Sequence, residues 1–199
     1  MRRSTASMLV VLGALSTPLA AQAAGDSGGG RGRGAAIGVG FTATVGSGWQ
    51  IESGEIGYAR RLARGPVRAV AASARLGSFI DEGAILGGAR GFVFAGTLSA
   101  RSGRLLLAEL GDEHNLTAIG FDVTLETTGY LTSRSPLPQG SPWAAVALLP
   151  GLRIGGADGA QYGIVIGPTM FLGGGAKSEV RGLLALRVEA PLARREHHP

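Results

Sequence analysis

Residues 116–131 read LTAIGFDVTLETTGYL, and alternate positions of this stretch form two separate lists. Thr117, Ile119, Phe121, Val123, Leu125 and Thr127 make one list. Ala118, Gly120, Asp122, Thr124, Glu126 and Thr128 make the other. Successive side chains of a strand face opposite sides of its sheet, so an extended chain here has one greasy face and one small or acidic face. A helix would scatter both sets around its circumference. The pattern predicts a strand of about 16 residues, against a usual length of roughly 5–6.

Working outward, the same alternation recurs. Ala35–Val45 carries Ile37, Val39, Phe41 and Val45 on one face and Gly38, Gly40, Thr42 and Thr44 on the other. Trp49–Leu62 follows, and its alternation slips near Gly54, which predicts a β-bulge there. Further strands are expected at Val67–Ile80, Ala89–Ala100, Trp143–Ile154, Ala160–Leu172 and Ser178–Leu192. Between them stand turn-formers such as Arg64-Gly65-Pro66, the Pro-rich SRSPLPQGSP at 133–142, and Gly173–Lys177. Arg101–Asn115, with its RLLLAEL core, reads as part of a connection or as the extended end of a neighbouring strand. Eight strands joined by turns fit a closed antiparallel up-and-down β-barrel over residues 35–192, an all-β fold.

Composition narrows the class. Glycine occupies 35 of 199 positions without a collagen period, which suits a tightly bent sheet with many turns. The absence of cysteine excludes a disulfide framework and thiol chemistry. The formal charge of +5 comes almost wholly from arginine, scattered rather than gathered with stacking aromatics, so a nucleic-acid partner is not expected.

The first residues have the form of an export signal. Arg2 and Arg3 precede an apolar run from Met8 to Leu15, and Ala21-Gln22-Ala23 has the A-x-A cleavage form. Residues 1–23 are therefore expected to be removed, leaving a flexible Gly-rich lead at 24–34, the barrel, and a solvated tail at 193–199. No later run of apolar residues is long enough for a membrane helix. No segment is available to cover one face of the sheet as a helix would, whereas lipid can cover it.

Alternation also sorts the charges. Arg75, Asp122, Glu126, Arg153, Arg187 and Glu189 fall on the less apolar faces and are expected to form a polar network in the lumen, with Arg60 and Arg181 nearer the strand ends. Charges in so narrow a space are tolerable only when paired, and eight strands enclose a space that side chains can fill. Trp49, Phe79, Tyr130, Trp143, Tyr162 and Phe171 stand near strand ends, where aromatics of lipid-crossing strands form interfacial girdles.

With its export signal, alternating strands, aromatic strand ends and final strand VRGLLALRVEAPL, residues 35–192 resemble small outer-membrane β-barrels of the OmpA and OmpW type. Such barrels commonly finish on an aromatic residue that the barrel-assembly machinery reads, whereas this chain continues through Ala193 to Pro199 without one. The resemblance implies a bacterial outer-membrane location and two partners, membrane lipid and the assembly machinery. It also implies a structural or interaction role with a plugged lumen. Two other readings share the pattern: a narrow channel for small or apolar solutes, and a soluble lipocalin-like carrier with the faces inverted.

No enzyme chemistry is expected. Asp122 and Glu126 lie about 13 Å apart along a strand, too far for a shared proton. His114 is a loop histidine with no partner set for a metal or a nucleophile, and the Gly-rich runs do not open helices as phosphate loops do. No cofactor is implied.

Overall fold

The computed structural model describes residues 34–46, 48–81, 89–111, 116–132, 143–156, 159–173 and 178–192. The expected signal peptide, nearly all of the Gly-rich lead, His114 and the tail at 193–199 lie outside the described residues.

The described chain is all strand: β1 Ala35–Val45, β2 Trp49–Arg61, β3 Val67–Asp81, β4 Ala89–Ser102, β5 Leu105–Leu110, β6 Thr117–Thr132, β7 Trp143–Gly155, β8 Gln161–Gly173 and β9 Glu179–Pro191. Neighbours in sequence other than β4 and β5 pair antiparallel, β1 pairs with β9, and β4 pairs with β6, which closes an eight-stranded barrel. The ninth strand, β5, is the outcome for the ambiguous RLLLAEL segment. It continues β4 past Gly103 and Arg104 along the same edge of β6, pairing Leu105 with Phe121 and Leu110 with Thr117. It therefore adds a strand without widening the ring.

The alternation becomes an inside and an outside. Along β6, Asp122, Thr124, Glu126, Thr128 and Tyr130 are buried, while Phe121, Val123 and Leu125 lie on the opposite, outer face. The outer wall carries Leu76, Phe92, Leu98 and Ile166, exposed by 64, 75, 65 and 61 %. Polar and charged side chains line the middle of the barrel.

The bulge expected at Gly54 is absent. β2 stays in unbroken register with both β1 and β3 through this point, with Gly54 opposite Phe41 and Leu76. What slips is polarity rather than register: Ile51 is buried on the same face that carries Glu55 further on, because the lumen changes from apolar to ionic along its axis. Unbroken parity also corrects Arg60, which is exposed on the outer face.

The aromatic expectation is corrected in part. Phe79, Tyr130 and Phe171 are buried in the lumen, not arrayed on the outer wall. Trp49, half-buried, stacks edge-on against Phe79 and Phe171 at centroid distances of 6.1 and 5.4 Å. Tyr162 does face outward, and the Trp143 side chain lies outside the described residues. The reason is parity. Each buried ring shares its face with the inward residues of its own strand, and position at a strand end does not turn a side chain round.

Candidate functional site: the lumen

The interior is organised in tiers. At the end opposite Ala35 and Pro191, Ile51, Phe79, Val93, Ala95, Tyr130, Ala145 and Phe171 form a buried cluster against which Trp49 packs. Arg181 lies over the Trp49 ring at 3.6 Å and bonds to Glu179 and the Trp49 carbonyl, an arrangement favourable to a cation over an indole face. This apolar stopper closes one end.

Below it lies a closed ring of four charges from four strands. Arg75 of β3 donates from Nε to Glu55 of β2 at 2.7 Å and from Nη2 to Glu126 of β6 at 2.5 Å. Arg187 of β9 donates to the same two carboxylates, from Nε to Glu55 at 3.0 Å and from Nη2 to Glu126 at 2.6 Å. Cations and anions alternate round the ring, so every charge touches two opposite charges. Thr128 adds contacts to Arg75 and Thr97.

A second ring lies nearer Ala35 and Pro191. Arg153 of β7 donates to Asp122 at 2.6 Å and to Glu189 at 3.1 Å. Arg101 of β4 grips Glu189 through both η nitrogens, at 2.7 and 3.2 Å, and approaches Asp122 at 3.9 Å. Arg104 and Gln161 sit beside it, joined at 3.1 Å. Each ring holds two guanidiniums and two carboxylates, so each is dense in charge and neutral by itself. That arrangement offsets the desolvation of each ion by charge-assisted bonds, two opposite charges to each ion of the first ring and one short bond to Asp122 in the second.

A cavity of about 40 Å³ remains between the rings and the wall of small residues on β1–β3, including Gly38, Gly57, Ala71 and Ser73. It has room for roughly three or four waters at about 10–15 Å³ each. Thr124 Oγ1 and Asp122 Oδ1 have no hydrogen-bond partner, and Thr124 lines this cavity. Among the described residues no cluster of His, Cys, Asp and Glu could hold a metal ion.

All six charged residues assigned to the lumen from the sequence are brought together here, divided between the two rings. Sequence reasoning missed Glu55, because the supposed bulge at Gly54 obscured its face. It missed Arg101, because residue 101 was placed in a connection. Strict parity counting from Ser53 and from Ser99 would have found both. Compared with known proteins, the chain matches no protein-family model, no curated protein and no solved structure.

Proposed function

We propose that this protein is an integral β-barrel of the bacterial outer membrane, delivered by an export signal and inserted by the barrel-assembly machinery. In this reading it has a structural or interaction role, not a catalytic one, and its lumen is blocked. The observation that carries the reading is the distribution of polarity. Two neutral rings of ion pairs fill the inside, and large apolar side chains cover the outside on every strand. Soluble monomers rarely expose a contiguous apolar patch beyond about 300–600 Å². Hydrocarbon is the solvent such a wall suits, and the eight strands of the closed ring are each paired on both sides there.

The two rival readings are less well supported. A carrier of hydrophobic ligands needs a roomy apolar interior, whereas the 40 Å³ space here is lined by Glu55, Arg101, Glu126, Arg153, Arg187 and Glu189. A channel needs a continuous aqueous path, whereas Trp49, Phe79, Tyr130 and Phe171 close one end.

Cell fractionation and heat-modifiable gel mobility test the reading. The expected protein requires detergent, sediments with outer membranes and migrates faster unheated than heated. Leu76→Arg, placing a charge on the outer wall beside the level of Arg75, is expected to cost about 2–4 kcal/mol at mid-membrane and to block assembly. A soluble periplasmic monomer, or normal assembly of that variant, would overturn the proposal.

A further inference from the structure

β5 is the one described strand whose six residues are all exposed. One edge pairs with β6; among the described residues no strand pairs with the other. β3 leaves off at Val67 opposite Ser102, so β4 has a neighbour on that side and β5 has none among the described residues. Leu105, Leu106, Leu107 and Leu110 are exposed by 57, 38, 56 and 58 %, on both faces of the ribbon. This strand is unsuited to either solvent as it stands. In water it offers leucines on two faces beside an unpaired edge. In hydrocarbon it leaves a row of backbone N–H and C=O groups unbonded. A strand laid against the edge relieves both problems at once.

We propose that the occupant is β5 of a second copy, paired antiparallel about a two-fold axis. The argument is self-complementarity. β5 meets β6 through Leu105–Phe121, Leu106–Gly120, then Ala108–Ile119 and Glu109–Ala118, so Leu107 is the extra residue of a bulge. With Leu107 set aside, pairing β5 with its copy about Leu106 puts Leu106 opposite itself, Leu105 opposite Ala108, and Arg104 opposite Glu109. The last pair occurs twice and matches charge to charge. Leu106 and Glu109 pair with Gly120 and Ala118 of β6, so they share the lumen-side face, as the symmetry requires. Arg104 already holds Gln161 through Nη2, and a guanidinium has further donors to offer. The contact stands whether lipid or water surrounds the barrel.

The chain contains no cysteine, so one introduced thiol reports the contact cleanly. Leu106→Cys in the full purified chain, mildly oxidised, is expected to give a disulfide-linked dimer. Val39→Cys, on the outer face of β1 across the barrel, is expected to remain free of disulfide cross-links under the same conditions. Cross-linking of both variants alike, or of neither, overturns the proposal. Light scattering on the wild-type chain gives an independent reading that does not depend on either thiol variant folding. A dimer is expected that Glu109→Arg weakens at least tenfold and that Arg104→Glu combined with Glu109→Arg restores. A wild-type monomer at every concentration, or failure of the double exchange to restore what the single change removed, also overturns it.

Discussion

At the scale of single residues, Glu126 is the most consequential side chain in the lumen. It is 1 % exposed and accepts from both Arg75 and Arg187, which Glu55 also joins. Removing one member of such a set leaves a buried charge uncompensated, whereas removing the whole set does not. Glu126→Leu is therefore expected to lower unfolding stability by about 3–5 kcal/mol. Combining it with Glu55→Leu, Arg75→Met and Arg187→Met is expected to recover most of that loss. Urea unfolding in detergent compares them, and an unchanged midpoint for Glu126→Leu would mean that the ring does not act as a unit. Parity alone had placed Arg75, Glu126 and Arg187 inside; it could not say that Glu55 completes the ring. Glu55 and Arg187 are separated by 132 positions and meet only because β1 joins β2 to β9.

At the scale of elements, the close approach of β2 and β3 depends on Gly77. A Cβ there would fall on the Glu52 carbonyl oxygen and 2.6 Å from the Ser53 Cβ, so backbone rather than a flexible side chain blocks it. Gly54, exposed on the outer face of β2, has nothing nearer than 4.0 Å to such an atom. Gly77→Val is accordingly expected to cost about 1–3 kcal/mol by overpacking, and Gly54→Val to be neutral or mildly stabilising through strand propensity. Thermal unfolding of the two variants side by side checks this, and equal behaviour would count against the register given for this pair. The strands themselves were legible to within a residue or two, because alternation is a local signal that survives whatever the strand later meets. The bulge at Gly54 was misread for the opposite reason. A change of lumen lining from apolar at Ile51 to ionic at Glu55 looks, in one dimension, the same as a change of face.

At the scale of the whole molecule, the stopper and the rings act in series. An ion entering from the end of Ala35 and Pro191 meets the Arg101–Asp122–Arg153–Glu189 ring, then the Arg75–Glu55–Arg187–Glu126 ring, then the aromatic cluster. The wild-type chain in planar bilayers is expected to insert without stepwise conductance. Steady open-channel steps would instead favour the channel reading and require the stopper to move. The aromatic residues were the least legible part of the design. Their positions near strand ends suggested a girdle, yet Phe79 and Tyr130 share parity with the inward charges of their strands, Phe171 shares it with inward Gln161 and Thr169, and all three turn into the barrel. Phe41, Phe92 and Phe94 take the outer wall instead.

By itself the sequence determined the strands, the two faces of each and the set of charges that share a face, because a side-chain period of two is a property of the extended backbone and needs no partner. Tertiary structure alone decided which charge meets which, that β5 extends β4 along β6 instead of joining the ring, and that the rings of Trp49, Phe79 and Phe171 stack as a stopper. Those outcomes depend on the register between strands far apart in the chain, and no local pattern carries that information.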